Sequence, residues 1–250
     1  MLLKFLFFIW GSIVGSFLNV CIYRMPRSKS IILPRSHCVH CGKVIKWYEN
    51  IPLLSYILLR GKCSSCKRPI AVRYFIVELL TAVIFALFYS TFGLSLNLLV
   101  FLILACGLIV ASFIDLEHKL IPDSVSLGGL ALGLVARLVY ARAHFLNYLL
   151  GAVIGAASIY LIGVLGKAIF KKEAMGFGDV KFLAMIGAFL GWQKVLLVFF
   201  LAPFFGAAVG IVLKIKYKAE TIPYGPYLSL ATVVVILWGD SIISRLFYMY

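Results

Sequence analysis

Long apolar stretches separated by short polar ones dominate the chain. A helix needs about 20 mostly apolar residues to cross a bilayer, and the sequence offers eight candidate stretches, of which the sixth is short. They lie near 2–23, 73–92, 96–114, 124–141, 145–166, 179–191, 194–213 and 226–247. The first is too long for the apolar core of a signal peptide, so we expect it to be retained. The pattern predicts an all-α integral membrane protein with about eight transmembrane helices.

The segment 24–72 interrupts this pattern. It is polar, rich in Lys, Arg and Cys, and contains four prolines. Prolines and charges at this density are typical of a loop-rich region outside the bilayer. We therefore predict a first transmembrane helix at 1–23, a small insertion at 24–72, and a seven-helix membrane core at 73–250.

Composition excludes a soluble protein. The 250 residues are 63% hydrophobic and 13% charged, whereas soluble domains have roughly 45–50% apolar and about 25% charged residues. The formal net charge is +15, which fits the anionic lipids of a cytoplasmic membrane surface. In a membrane protein we do not expect this charge to indicate a nucleic-acid partner.

The basic residues also predict the orientation. If 24–72 and the alternate loops after it lie on one side, that side carries 19 of the 24 Lys and Arg residues. Cytoplasmic loops are enriched in Lys and Arg. The insertion is therefore expected in the cytoplasm, with both termini outside.

Four cysteines of the insertion have the spacing of a metal site. Cys38 and Cys41 form one Cys-x-x-Cys turn, and Cys63 and Cys66 form a second after 21 intervening residues. Two such turns can close a tetrahedral zinc site. The alternative is a pair of disulfides, which a reducing cytoplasm disfavours. Because four thiolates fill the coordination shell, we expect the zinc to be structural and to staple an insertion too small for a large core.

Two aspartates stand where apolar stretches end or begin. Asp115 follows an apolar run, and Asp179 closes the sequence Gly176-Phe177-Gly178-Asp179. A carboxylate at membrane depth is costly and is a functional candidate by default. Asp179 could equally cap a helix, whereas Asp115 ends a helix on the side where the dipole disfavours an anion. Asp123, after a proline, is expected to be an N-cap and is the reserve candidate.

Brought together, two aspartates can hydrolyse a peptide bond. Like charges a few ångströms apart cannot both ionise cheaply, so the pair shares one proton. The ionised member then activates water, and the protonated member polarises the carbonyl. Gly176 and Gly178 would let the backbone approach a substrate strand closely.

Several further motifs occur in a fixed order along the chain. They are Gly11-Ser12, Gly15 to Pro26, the two Cys-x-x-Cys turns flanking Trp47 to Pro52, Arg73-Tyr74, Glu78 to Thr81, Ile114-Asp115, Ile121-Pro122-Asp123, Gly176 to Lys181, and Pro223 to Tyr227. With these motifs in this order, the chain resembles the bacterial type IV prepilin peptidases (leader peptidase/N-methyltransferases) over nearly its whole length. The Gly-x-Gly-Asp signature also resembles that of presenilin-type intramembrane proteases.

The resemblance implies an intramembrane aspartyl peptidase of the bacterial inner membrane. Such enzymes cut the short basic leader of prepilins and pseudopilins after a glycine, on the cytoplasmic side. The resemblance assigns catalysis to Asp115 and Asp179, with supporting roles for Gly176, Gly178, Asp123 and Lys181.

Many members of this family then methylate the new N-terminus with S-adenosylmethionine, an activity associated with the first cytoplasmic region. Glu49 and Glu78 are the candidates there for binding the methyl donor. Each has a structural alternative. Glu49 could pair with a neighbouring lysine, and Glu78 could form an interhelical hydrogen bond or pair with Arg73.

Two other classes of function use the same features. A cation- or proton-coupled transporter would use intramembrane carboxylates, but it predicts an inverted repeat that is not evident. A zinc-ribbon anchor for nucleic acid would explain the basic insertion but leaves Asp115 and Asp179 without a role.

Overall fold

The computed structural model describes residues 1–171, 175–217 and 223–247, and its secondary-structure elements in these ranges are helices joined by loops. Lys172 and Lys218, which enter the count of basic residues, lie outside them. The described residues form no β-strand, and the expected all-α membrane fold is confirmed. The helices are α1 Leu2–Arg24, α2 Leu54–Leu58, α3 Val72–Phe92, α4 Leu96–His118, α5 Asp123–Tyr140, α6 Phe145–Phe170, α7 Phe177–Leu190, α8 Trp192–Tyr217 and α9 Gly225–Phe247.

The expected number of eight spans is not confirmed. Within the described ranges six helices are long and apolar enough to cross a membrane, namely α1, α3, α4, α5, α6 and α9. Helix α7 has 14 residues, a length of about 21 Å at 1.5 Å per residue, against about 30 Å of hydrocarbon. Helix α8 is longer and contains Pro203, and among the residues whose side chains are described it offers the apolar stretch Trp192–Ala208, which has 17 residues or fewer.

The chain divides into two compact units, Met1–Leu98 and Leu99–Tyr250. In the first unit α1 packs along α3, and two glycines of α1 make the approach close. A Cβ added at Gly11 would lie 2.8 Å from the Cα of Ala82, and one added at Gly15 would lie 2.8 Å from the Cα of Glu78. Small residues four apart let membrane helices approach in this way. By its contacts α3 therefore belongs with α1 and the insertion.

A buried arginine at the end of α1 holds the first loop of the insertion by hydrogen bonds. Arg24, the last residue of α1, is only 6% exposed. Its guanidinium donates to the carbonyl of Ser30 at 2.9 Å and to the carbonyl of Pro34 at 2.7 Å. The guanidinium also lies at the negative end of the α1 dipole, where a cation is favoured.

The short helix α7 is the buried centre of the second unit. It contacts α5, α6, α8 and α9, and every residue from Phe182 to Leu190 is buried. Glycines again set the closest approach, because a Cβ added at Gly151 of α6 would collide with the carbonyl of Gly187. This packing fixes the position of the first turn of α7, which carries Asp179.

A second buried arginine holds the other end of α7. Arg137 of α5 is 5% exposed, and its Nε and Nη2 atoms donate to the carbonyl oxygen of Phe189 at 3.1 and 2.7 Å. Its guanidinium also stacks on the Tyr148 ring at 4.4 Å. Carbonyls in the last turn of a helix lack intrahelical partners, so Arg137 caps α7. In the sequence Arg137 is only one of the basic residues on the side opposite the insertion.

Candidate active site

Asp115 is buried at the end of α4 and faces the beginning of α9. It is 6% exposed, and the backbone N–H of Gly225 donates to its Oδ2 at 2.8 Å. One turn further from the site, the Ser112 hydroxyl donates to Ser229 Oγ at 2.7 Å and keeps the two helices in register. The N-terminus of α9 carries partial positive charge. It therefore offsets the unfavourable dipole of α4 that made Asp115 unexpected as an end residue.

Asp179 lies in the first turn of α7. Gly176 occupies the N-cap position, and Asp179 is the third helical residue, so Asp179 is not itself the N-cap. Its carboxylate accepts a hydrogen bond from the backbone N–H of Gly176, as a third helical residue does in a capping box. A Cβ added at Gly176 would lie 3.2 Å from Asp179 Oδ2. The capping bond thus orients the carboxylate.

The two aspartates lie within electrostatic reach of each other, because the charge of Asp115 acts on Asp179. Tyr224, just before α9, also feels the charge of Asp179. Burial first, and then that charge, raise the pKa of Tyr224 to about 12. The Tyr224 hydroxyl therefore keeps its proton at neutral pH and is a hydrogen-bond donor beside the pair. In the sequence Tyr224 is visible only as part of the motif Pro223 to Tyr227.

One isoleucine packs between the helix ends that meet at this site. Ile121, in the loop after α4, is 8% exposed. A Cβ added at Gly178 would lie 3.4 Å from its Cβ, and one added at Gly225 would lie 3.4 Å from its Cδ1. The end of α4 and the beginnings of α7 and α9 therefore converge on Asp115 and Asp179. This convergence brings the two carboxyl groups to one end of the second unit, and their catalytic role stays a prediction.

The expectation that Asp123 is an N-cap is wrong. Pro122 is the N-cap of α5, in an extended conformation and with no side-chain cap, and Asp123 is the first helical residue. Its carboxylate instead forms a short ion pair with Lys181 of α7. The Asp123 side chain is 61% exposed. The pair joins the first turns of α5 and α7, and the supporting role of both residues stays a prediction.

The four cysteines of the insertion come together as the spacing predicts. One sulfur ligand atom from each of Cys38, Cys41, Cys63 and Cys66 lies within 4.8 Å of the others. All four are free thiols, and the Cys38 and Cys66 sulfurs are 3.9 Å apart, too far for a disulfide bond. Zn–S bonds of about 2.3 Å in a tetrahedron separate the sulfurs by about 3.8 Å. The cluster could therefore hold zinc.

Two equivalent turns build this cluster. In the first, Cys38 N–H donates to the Lys43 carbonyl and Gly42 N–H donates to the Cys38 carbonyl, both at 2.9 Å. In the second, Cys63 N–H donates to the Arg68 carbonyl at 2.9 Å and Lys67 N–H to the Cys63 carbonyl at 3.1 Å. Gly42 and Lys67 both have positive φ, 71° and 58°.

The second turn also favours a thiolate at its first cysteine. The backbone N–H groups of Cys66 and Ser65 donate to the Cys63 sulfur and lower the pKa of that thiol to about 6. At Cys41 a backbone hydrogen bond at Lys43 lowers the pKa, but burial and the three neighbouring sulfurs outweigh it and raise the pKa to about 11, so the four sulfurs share their protons. Thiolates are the form that binds zinc. The donor set and its hydrogen bonding therefore fit the metal.

Glu49 is held inside the insertion. Its carboxylate accepts from Lys43 Nζ at 3.3 Å and from the Lys46 N–H at 3.2 Å, and its side chain is 12% exposed. Hydrogen bonding, led by the Ser64 hydroxyl, lowers the pKa of Glu49. The lysine pairing considered from the sequence is thus present, and a role in binding a methyl donor stays a prediction.

Glu78 joins α3 to the insertion. It is 8% exposed, and its Oε2 accepts the backbone N–H of Leu53 at 2.8 Å. The Ser16 hydroxyl of α1 is a second hydrogen-bonding neighbour. Of the structural alternatives considered from the sequence, a hydrogen-bonded Glu78 is therefore present, with an N–H group of the insertion as the donor, and a role in binding a methyl donor stays a prediction.

Fold and site together define a multi-pass helical membrane protein with one buried carboxylate, Asp115, and one partly buried carboxylate, Asp179, at converging helix ends. Comparison with known proteins gives the family. The family model "Type IV leader peptidase family" matches residues 102–211, which include Asp115 and Asp179. The model "Bacterial Peptidase A24 N-terminal domain" matches residues 9–92, which include the four cysteines. No solved structure matches the chain.

Curated relatives agree over most of the chain. It is 40% identical to the prepilin leader peptidase/N-methyltransferases of Stutzerimonas stutzeri and of Pseudomonas aeruginosa, over 93% of this chain and 89% of each relative. It is 37% identical to the protein of that name from Aeromonas hydrophila, over 95% of this chain and 91% of the relative. The chain belongs to the type IV leader peptidase family. It is an enzyme, a protease with methyltransferase activity.

Proposed function

We propose that this chain cuts the short basic leader from type IV prepilins and pseudopilins, after a glycine and at the cytoplasmic face of the inner membrane. It then methylates the new N-terminus with S-adenosylmethionine. The observation that carries the proposal is the juxtaposition of Asp115 and Asp179 in the part of the chain that matches the peptidase model. The names of the relatives support the substrate class.

The two carboxyl groups act as one unit that holds a single proton. The ionised group takes a proton from a water, whose oxygen attacks the carbonyl carbon of the glycine. The protonated group donates to the carbonyl oxygen, and the tetrahedral intermediate collapses when the leaving amine receives a proton. The Gly225 N–H and the Gly176 N–H each hold one carboxylate in place. The Tyr224 hydroxyl adds a donor beside Asp179.

The side of the membrane follows from charge. The positive-inside rule puts the insertion in the cytoplasm, and Lys181 lies in the same turn region of α7 as Asp179. The excess of basic residues would repel a basic leader. We therefore assign the +15 charge to topology and to contact with anionic lipids.

The four cysteines are assigned to one structural zinc ion. All four coordination positions would be filled by thiolates, which leaves no open position for a substrate. The metal would hold the two turns of the insertion together. Methyl transfer would take place in the part of the chain that matches the N-terminal family model.

The test of the peptidase is cleavage of a purified prepilin in detergent or lipid by the wild type, Asp115→Asn and Asp179→Asn. Asparagine keeps size and hydrogen bonding but removes the carboxylate. Asp240→Asn is the matched control, because the Asp240 side chain is 84% exposed and pairs with Lys194. We expect both site variants to fold and to lose cleavage while the control cuts normally. Cleavage by both site variants at the wild-type rate would refute the assignment.

Methylation is read on the same product. Mass spectrometry of the new N-terminus, with and without S-adenosylmethionine, should show the added methyl group only with the donor. Product that stays unmethylated with the wild-type enzyme would remove this half of the proposal and leave the peptidase half intact.

A further inference from the structure

A large cavity lies inside the first unit. Its volume is about 820 Å³, and its wall is formed by α1, the cysteine-bearing insertion and the first turns of α3. Cavities that bind small molecules measure roughly 300–1,000 Å³. This one is of a size for a nucleoside-containing ligand. The peptidase mechanism described above does not involve this cavity.

One polar atom on the wall has no partner. Asn19 of α1 lines the cavity and is 1% exposed. Its Nδ2 donates to the Tyr74 carbonyl at 2.9 Å, which fixes the amide, but its Oδ1 makes no hydrogen bond. A buried acceptor without a donor is costly to a fold. Its place on the cavity wall indicates a ligand that brings an N–H or O–H group.

A carboxylate also lines the cavity, on α3, the helix that packs along α1. Glu78 is one turn beyond Tyr74, whose carbonyl Asn19 contacts. The Leu53 N–H at 2.8 Å and the Ser16 hydroxyl position the carboxylate. A carboxylate has about four lone-pair positions, so these bonds leave it able to accept more. The cavity thus presents an amide oxygen and an anionic acceptor, a pair suited to a cationic or amine-bearing ligand.

The remaining wall suits the other parts of such a ligand. Tyr23, Tyr56 and Tyr74 line it, and aromatic rings bind purine faces. Lys43 also lines it and is 35% exposed at its side chain. Its ammonium donates to Glu49 at 3.3 Å and to Ser64 at 2.9 Å, and an ammonium has three donors. A third bond from Lys43 would suit a ligand carboxylate.

We propose that this cavity is the methyl-transfer site. It binds S-adenosylmethionine, a sulfonium nucleoside that also carries an amine and a carboxylate, beside the amine of the cut peptide. Asn19 Oδ1 and Glu78 are the acceptors for the peptide amine. The carbon–nitrogen bond forms as the carbon–sulfur bond breaks, the sulfur keeps the electron pair, and Glu78 takes the proton that the amine loses. The inference rests on the methyltransferase activity proposed above.

The location is tested by binding, without turnover. The neutral product analogue S-adenosylhomocysteine is titrated calorimetrically into the full chain in detergent, as wild type, Ser16→Phe and Thr91→Phe. Phenylalanine at Ser16 projects into the cavity and should weaken binding at least about tenfold. Thr91 is exposed on α3, away from the cavity wall, so its variant should bind within about twofold. Equal binding by Ser16→Phe and wild type would overturn the location, and the cavity would then belong to lipid.

A photoreactive 8-azidoadenosyl analogue gives a second readout of location. Its cross-links should map to peptides between residues 13 and 78, where the cavity lining lies. Cross-links confined to residues beyond 98 would overturn the proposal even if Ser16→Phe simply fails to fold.

The role of Glu78 is tested by Glu78→Gln. Glutamine can still accept the Leu53 N–H but cannot take a proton. We expect S-adenosylhomocysteine binding within about threefold of wild type, methyl transfer lowered at least about 100-fold, and prepilin cleavage retained. Methyl transfer at the wild-type rate would refute the role of Glu78. A wild-type enzyme that cleaves but neither binds the analogue nor methylates would instead refute the methylation half of the proposed function.

Discussion

Replacing Gly225 by alanine tests how the first residue of α9 positions Asp115. The added Cβ would lie 2.9 Å from Asp115 Oδ2, and ordinary contacts begin at about 3.4 Å. Relief therefore needs a shift of about 0.5 Å at a carboxylate that is 6% exposed and bonded to the same backbone N–H. Because a displacement of about 1 Å can cost about 100-fold in rate, we expect kcat to fall about tenfold, or about 1.4 kcal/mol of activation free energy.

The assay is steady-state cleavage of a purified prepilin, with kcat and KM determined separately. The loss should appear in kcat while KM changes little, because the carboxylate acts on the bond and not on the rest of the substrate. Gly128→Ala is the matched control, since a Cβ at this helical glycine meets nothing within 4 Å. Activity of folded Gly225→Ala within twofold of wild type would refute the positioning argument.

Three further changes test other parts of the account. Tyr224→Phe removes the donor beside Asp179 and should lower kcat about tenfold. Because the pKa of Tyr224 is raised to about 12, its hydroxyl stays protonated below pH 10. If the wild-type rate falls with rising pH below pH 10, and this fall disappears in Tyr224→Phe, the result would contradict the assignment of Tyr224 as a protonated donor. Asp123→Asn and Lys181→Met, combined in a double-mutant cycle of thermal stability, should couple by less than about 1 kcal/mol, because the Asp123 side chain is 61% exposed and exposed ion pairs contribute little. A larger coupling would show a buried ion pair. Cys38→Ser should lose the zinc measured by mass spectrometry and make the insertion sensitive to protease while prepilin cleavage continues, and full zinc retention would exclude the four-cysteine site.

Local chemistry explains what the sequence predicted well. The cysteine cluster follows from two turns that each close over a few residues, and a spacing rule captures such turns. The all-helical fold follows from apolar stretches that are long against the thickness of a bilayer. The position of Asp179 near the start of a helix also follows from local sequence, because two glycines on either side of an aromatic residue indicate a turn that leads into a helix.

Tertiary contacts explain what the sequence could not supply. The anion at the end of α4 looked unfavourable because its stabilising donor, the Gly225 N–H, lies 110 residues further along the chain. Arg137 looked like a surface charge, since nothing near it in sequence reveals the Phe189 carbonyl that it caps. Pro122 occupies the N-cap position. The helix therefore begins at Asp123, one residue earlier than expected. The short stretch 179–191 was counted as a span because hydropathy does not distinguish burial in protein from burial in lipid, and the 14-residue α7 is buried among other helices.

The most direct test of the central claim is the rate of prepilin cleavage by Asp115→Asn, Asp179→Asn and the double variant, in one preparation with Asp240→Asn as control. If the two carboxyl groups act as one unit, each single variant loses at least about 10³-fold, and the double variant loses no more than either one. If the losses instead add as independent free energies, or if either single variant cuts at the wild-type rate, Asp115 and Asp179 do not share the reaction.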